Sequence, residues 1–262
     1  MSDSEGAARV GYEVRGRVAV ITMNRAPVNA VDFPMIDAIH DRMREADADR
    51  GVGAIVLASA VEGMFCGGMD LKMIRGAGGL GMRDFLNRFY LDTLDLQAKL
   101  AKPTIAAVNG PARGAGMTLS ITCDVIVCAE SASLGYPEID VGVLPAIHFA
   151  HLPAVIGRHR AFELLFTGET FTPAEAKAMG LVNQVVPDAE LMDSAMALAG
   201  TFAAKSPTVM RLGRQAFWRA QDLDYRRNVA AQVEMMCALA ETDDFEEGLA
   251  AFAEKRKPDW GR

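Results

Sequence analysis

The sequence predicts an α/β fold, with a core over about 1–200 in which strands and helices alternate and a helical stretch over 201–262. Three observations predict it. Short continuous apolar runs, such as 54–59 and 123–129, have the composition of strands covered on both faces. Segments with apolar residues at helical spacing separate them. From Ala189 onward only helical patterns remain, broken at Ser206-Pro207. Alternating elements followed by helices alone imply a layered α/β core with a helical appendage. Such an appendage can pack on its own core or on a neighbouring subunit.

In order along the chain, 12–23 reads as two strands about a tight turn at Arg15-Gly16-Arg17. Turn residues from Asn24 to Ala30 end the second strand. Asp32 is placed to cap a helix reaching about Asp49, in which Ile36, Ile39, His40 and Met43 recur on one face. A strand at 54–59 leads into the loop Met64-Phe-Cys-Gly-Gly-Met-Asp-Leu71. The glycine-rich 75–82 predicts a mobile segment, and a long helix follows from about Arg83 to Ala101. Next come a strand at 104–108, the glycine turn Gly114-Ala115-Gly116, a short helix and a strand at 123–129. Helices are predicted over about 145–155, 158–166 and 173–179. Thr172-Pro173-x-Glu175 starts the last of these, with proline at the first helical position. A final strand covers 181–186. In the helical stretch Phe202, Val209, Leu212, Phe217, Val233, Met236, Leu249 and Phe252 are candidate core positions.

Half of the 262 residues are hydrophobic, which supplies a sizeable core. The net charge of −7 argues against a general nucleic-acid binder, which is usually basic. Cys66, Cys123, Cys128 and Cys237 form no CxxC pair or metal-ligand cluster and read as reduced thiols of an intracellular protein. The polar, acidic residues 1–8 resemble neither a secretory signal nor a transit peptide. No apolar run nears the roughly 20 residues needed to span a bilayer. The expectation is a cytoplasmic protein without membrane association, bound metal or tightly held cofactor.

The chemistry concentrates in two glycine-bearing loops that each follow an apolar strand. One is Cys66-Gly67-Gly68-Met69 and the other Gly114-Ala115-Gly116. Glycine lets backbone approach a ligand closely, and a helix opening after such a turn presents free N–H groups. Two donors converging on one oxygen make an oxyanion hole. Two ordinary tight turns fit the same pattern. Glu138 follows as a lone acid after Tyr136-Pro137.

The loop Phe65-Cys-Gly-Gly-Met-Asp-Leu71 resembles the F-[CS]-A-G-x-D-[IL] loop of the crotonase superfamily, the enoyl-CoA hydratases and isomerases. The run from Lys102 to Gly110 resembles the family's K-P-[TV]-I-A-A-V-x-G strand, and Pro111 to Asp124 its A-x-G-G-G-x-x-L-x-x-x-C-D segment. Asn24-Arg-x-Pro-x-Asn-Ala30, Phe166-Thr-Gly168, Ala176-x-x-x-Gly180-Leu-Val and Phe252-x-Glu-Lys-Arg-Lys-Pro258 fit as well. The resemblance runs in order through essentially the whole chain. It implies a spiral of repeated ββα turns, with C-terminal helices that build a homotrimer, commonly stacked as a dimer of trimers.

The same resemblance implies roles. The backbone N–H groups of Met69 and Ala115 would hold the carbonyl oxygen of a coenzyme A thioester, with coenzyme A present only as part of the substrate. Cys66, Gly67, Gly68, Asp70, Leu71, Lys72, Gly114 and Arg25 would line or flank that site, and Phe252 and Lys255 would help bind coenzyme A. Hydratases of the family usually carry two glutamates that activate a water. One matches Glu138, and the other falls at Thr118, which cannot act as a carboxylate base. A single glutamate resembles the enoyl-CoA isomerases, where one carboxyl group removes a proton and returns it to another carbon.

Other groups carry weaker signals. Asp140 would face the same way as Glu138 if that segment were extended. A turn aspartate is the plainer reading. His148 and His151, at i and i+3, fit either pocket acid–base groups or satisfied structural histidines. Arg256 and Lys257 fit either phosphate binding or a solvated basic helix end. The expected function is enolate chemistry on an acyl-CoA, with double-bond isomerisation ahead of a one-acid hydratase. A decarboxylase or C–C hydrolase using His148 or Asp140 is a further alternative. So is a non-catalytic acyl-CoA- or RNA-binding protein, the RNA version being disfavoured by charge.

Overall fold

The computed structural model describes residues 9–221 and 224–259. Its strands in chain order are β1 (Val10–Arg15), β2 (Val18–Met23), β3 (Ala54–Ser59), β4 (Thr104–Val108), β5 (Ala112–Arg113), β6 (Val125–Ala129), β7 (Leu134–Gly135), β8 (Thr170–Phe171) and β9 (Gln184–Val186). The main sheet has the order β1-β2-β3-β4-β6-β9, and β5-β7-β8 form a small second sheet. Only the β1–β2 hairpin is antiparallel in the main sheet, turning at Gly16 with φ +62. The parallel members β3 and β4 are buried nearly throughout, as their unbroken apolar composition requires.

Helices follow each turn of the chain. α1 (Phe33–Ala48) starts where the Asp32 side chain accepts the Met35 N–H at 3.1 Å, and buries Ile36, Ile39, His40 and Met43 on one face. α2 (Leu71–Ile74) and α3 (Gly78–Leu86) follow the first glycine loop, and a π-helical stretch over Asn87–Asp92 leads into α4 (Thr93–Lys99). The expected long helix is therefore present as an unbroken helical run from Gly78 to Lys99 with a π-helical stretch inside it, and it takes in the last residues of the glycine-rich segment. Its glycines serve close packing: a Cβ on Gly79 would lie 2.9 Å from the Cys237 carbonyl oxygen.

After β5 come α5 (Ala115–Ile121), a 3₁₀ turn at Pro137–Val141, α6 (Ala146–Ile156), α7 (Arg158–Thr167) and α8 (Pro173–Ala178). The Thr172 and Glu175 side chains form the reciprocal capping box that starts α8. The C-terminal helices are α9 (Leu191–Ala203), α10 (Pro207–Gln221), α11 (Tyr225–Leu239) and α12 (Asp243–Glu254). α9 lies across β3, β4 and β6, so residue 200 falls within a helix that packs on the sheet. α11 packs on α3 and α6. α12 packs on the 3₁₀ turn so closely that a Cβ on Gly248 would lie 2.4 Å from the Val141 carbonyl oxygen. Thus the described part of the helical appendage packs on its own core.

Val233, Met236 and Leu249 are buried and Phe202 packs partly against the core. Four other expected core positions are instead exposed: Val209, Leu212, Phe217 and Phe252. The reason for α10 is that its inward face is polar. Arg214, nearly fully buried, donates to Asp124 at 2.8 Å, Leu100 O at 2.8 Å and Gln97 Oε1 at 3.0 Å. Trp218 Nε1 donates to the same carboxylate at 3.0 Å. Removing the cation from such a pair strands its partner. Arg214→Met is expected to lower unfolding free energy by about 3 kcal/mol in urea titrations, whereas an unchanged midpoint would show that the pair is dispensable.

Candidate active site

Two backbone hydrogen bonds bring the two glycine loops together. Cys66 N–H donates to Pro111 O at 3.0 Å, and Arg113 N–H donates to Cys66 O at 2.9 Å. The Cys66 thiol donates to Asn29 O at 3.2 Å. Burial pushes this thiol up to about 12, so Cys66 is a packing group with no thiolate character near neutral pH. Gly116 faces Cys66 directly, and a Cβ there would lie 2.5 Å from the Cys66 carbonyl oxygen. A third segment, 28–31, joins them: Gly67 N–H donates to Val28 O at 2.7 Å, and Val31 is bridged to Met69.

That bridge orients the Met69 peptide. Val31 N–H donates to Gly68 O at 2.8 Å, and Asp70 N–H donates to Val31 O at 2.9 Å. Along an extended chain successive peptide groups alternate sides, so the Met69 N–H points away from Val31. Ala115 is the first residue of α5, where the N–H has no acceptor within the helix. Both residues line one cavity of about 410 Å³, together with Gly67, Gly68, Asp70, Leu71, Lys72, Gly114 and Glu138.

Glu138 sits on the 3₁₀ turn, with its carboxyl group packed against Gly114. A Cβ on Gly114 would lie 2.6 Å from Glu138 Oε1, and Gly114 adopts φ +46. Glu138 Oε2 is sealed from solvent without a hydrogen-bond partner. Burial raises this carboxyl group to about 7, only partly opposed by its own backbone N–H. The acid therefore exchanges protons near neutral pH inside a largely apolar cavity.

The remaining candidates separate by position. Because 137–141 is a 3₁₀ turn, Asp140 does not share a face with Glu138; it is exposed and lies beside Gly168. Thr118 and His148 are buried behind Gly114, outside the cavity lining, with Thr118 Oγ1 3.3 Å from His148 Nε2. His151 lines a different cavity, beside Phe217 and Trp218. Burial lowers it to about 4. Among the described residues no group of three or more His, Cys, Asp or Glu side chains comes together as a metal site.

The basic candidates also differ. Arg25 donates to Asp70 at 2.7 Å and to Ala30 O at 2.5 Å, clamping the loop base outside the cavity lining. Burial alone would raise the Asp70 carboxyl group. The bonds from Arg25 and from the Lys72 N–H outweigh it and hold Asp70 below the usual carboxylate range. Lys72 is exposed at the cavity, joined by Arg75, which the sequence reading missed. Phe252 is exposed along the cavity rim. Lys255 closes α12 with φ +54, outside the lining, and Arg256 is occupied by Glu247 at 2.5 Å and Glu254 at 2.7 Å.

Phe85, Leu86, Phe89 and Tyr90 form an apolar wall, continued by Val143, Leu144 and Met236. The i, i+4 pairs Phe85/Phe89 and Leu86/Tyr90 are the signal that could have named its residues.

The family model described as enoyl-CoA hydratase/isomerase matches residues 13–262. The chain belongs to that family. As a member, it is 35% identical over 253 residues to a probable enoyl-CoA hydratase of Rhizobium meliloti, covering 95% of this chain and 96% of the relative. It is 32% identical over 249 residues to a short-chain-enoyl-CoA hydratase of Clostridium acetobutylicum, with 94% of each covered. Among solved structures, an enoyl-CoA hydratase/isomerase from Xanthobacter autotrophicus superposes with a TM-score of 0.86 at 28% identity, covering 94% of this chain and 93% of that one. The fold is thus the crotonase fold that the motifs implied. No described helix of this family member is long and apolar enough to cross a membrane.

Proposed function

We propose that the chain forms the enolate of an acyl-CoA thioester and returns its proton to a different carbon, isomerising a double bond. The carrying observation is the cavity's acid inventory. Among the described lining residues the carboxyl groups are Asp70 and Glu138, and Asp70 is engaged by Arg25. Thr118, at the position of the hydratases' second glutamate, stands behind Gly114. Glu138 as carboxylate takes a proton from the carbon next to the thioester carbonyl. The C–H electron pair moves into the enolate, and charge builds on the carbonyl oxygen. The Met69 and Ala115 N–H groups stabilise that oxygen. The double bond shifts as Glu138 delivers the same proton two carbons farther along. An acid titrating near 7 suits both halves of the transfer.

The apolar wall favours an apolar acyl group. Exposed Lys72 and Arg75, which form no ion pair among the described residues, suit the phosphates of coenzyme A. No tightly held cofactor enters this chemistry. Exposed Val209, Leu212 and Phe217 on α10 suit burial in a homotrimer or dimer of trimers. Hydration is the second reading, supported by the names of the relatives.

A panel of acyl-CoA thioesters, with products identified by mass and NMR, tests the proposal. Isomerisation gives a product of unchanged mass with the alkene moved. A product heavier by one water, without isomer, replaces it with hydration, and loss of CO₂ replaces it with decarboxylation. For isomerisation, kcat/KM is expected to rise with pH to a plateau with its midpoint near 7, because the proton-abstracting form of Glu138 is the carboxylate. A flat profile from pH 5 to 9 contradicts that role.

A further inference from the structure

We infer that His148 and Thr118 are positioning residues that lock the Gly114–Ala115 peptide with its N–H turned into the cavity. This rests on the reading of Ala115 N–H as an oxyanion donor. In a trans peptide the C=O and N–H point in opposite directions. What holds the Gly114 carbonyl therefore aims the Ala115 N–H. That carbonyl accepts the Thr118 N–H at 3.0 Å and the Thr118 hydroxyl at 3.4 Å. His148 Nε2 is 3.3 Å from Thr118 Oγ1, so the ring is joined to the same oxygen through that hydroxyl.

The chemistry of these groups assigns the proton. His148 is fully buried, and burial keeps its imidazole neutral, with one N–H. Thr118 Oγ1 spends its single hydrogen on the Gly114 carbonyl, so toward Nε2 it can only accept. The proton therefore sits on Nε2, and the chain of bonds runs from Nε2 through Thr118 Oγ1 to the carbonyl. The Tyr136 ring, 4.5 Å from the imidazole between centroids, packs beside it.

The restraint answers a need created by Gly114. Glycine at φ +46 lets the chain pass beneath the Glu138 carboxyl group, but glycine also leaves the adjoining peptide free to rotate. A flipped peptide would present its carbonyl oxygen to the substrate carbonyl and repel it. Donors on the back of the carbonyl oppose the flip. They also polarise the peptide, which strengthens its N–H as a donor. Thr118 thus acts on the peptide from behind and not on the substrate. His148 adds a contact that the helix alone lacks.

The test combines kinetics with infrared spectroscopy of a bound saturated acyl-CoA carrying a ¹³C label at its thioester carbonyl. In the native protein that carbonyl stretch is expected to move to lower frequency on binding. His148→Phe and Thr118→Val should each lose most of the shift and roughly tenfold in kcat, with KM changed less than about twofold. His148→Gln and Thr118→Ser retain a donor and should keep most of both. Circular dichroism and melting confirm folding. If His148→Phe does not fold, the small Thr118→Val change decides. A native-like shift and kcat in a folded His148→Phe or Thr118→Val protein overturns the inference while leaving the oxyanion reading intact. An unshifted carbonyl in the native protein overturns the oxyanion reading, and the inference with it.

Discussion

Replacing Glu138 by glutamine is expected to lower kcat for the true acyl-CoA substrate by about 10³-fold, within the range that a positioned acid–base group contributes. The change keeps the shape of the side chain and removes its ability to carry a proton. KM should change little, because the apolar wall and the rim supply most of the cavity lining. Steady-state kinetics on the substrate found in the thioester panel measures this, and undiminished turnover would sink the assignment. The same variant has a signature in stability. The Glu138 carboxyl group has an ordinary value of 4.5 and is raised to about 7 by burial in the fold. Between these values the folded protein holds a proton that the unfolded chain has lost. The stability tied to this proton is fully present below about 4.5 and disappears as pH rises through 7. The native protein should therefore lose on the order of 3 kcal/mol relative to Glu138→Gln across that window. Parallel urea titrations at pH 5 and pH 8 read the difference.

The parts of the fold set by local chemistry were legible in the sequence. The Asp32 cap, the Thr172–Glu175 capping box and the buried apolar strands β3 and β4 each follow from a few neighbouring residues. What was not legible depended on partners distant in sequence. The glycines of 75–82 read as flexibility, because nothing local shows that α11 closes on Gly79. The two-residue strands β5, β7 and β8 are too short for alternation to register, and they exist through pairing with each other. α10 carries Val209, Leu212 and Phe217 outward because its inner face is held by Arg214 and Trp218 on Asp124. Apolar identity alone does not say which side of a helix is covered.

The candidate site divides along the same line. The two glycine loops and Glu138 were found as a set, and the structure brings Met69, Ala115 and Glu138 to one cavity. Orientation was the part out of reach. Asp140 required an extended segment to join Glu138, and a 3₁₀ turn carries it elsewhere. Arg25 had the charge for a phosphate, yet Asp70 occupies it. Thr118 was recognised as a missing acid, but its bond to the Gly114 carbonyl depends on how α5 starts.

Gly114→Ala is expected to fold, to lose about 2 kcal/mol of stability and to lose about 100-fold or more in kcat. Two costs arise at one atom. The backbone angle of φ +46 disfavours any side chain. The new Cβ would also meet Glu138 Oε1 at 2.6 Å and Cδ at 2.8 Å, contacts that require movement. The carboxyl group must retreat or the loop must turn, and turning the loop moves the Ala115 N–H as well. Acid and oxyanion donor are thereby misplaced together, and a displacement near 1 Å is enough for the expected loss. Gly180 supplies the control. It has φ +81, yet a Cβ there would meet nothing within 4 Å, and it lies outside the cavity that holds Glu138. Gly180→Ala should show a comparable loss of stability with kcat preserved. If Gly114→Ala turns over substrate as Gly180→Ala does, the close seat of Glu138 on Gly114 is not what places the acid.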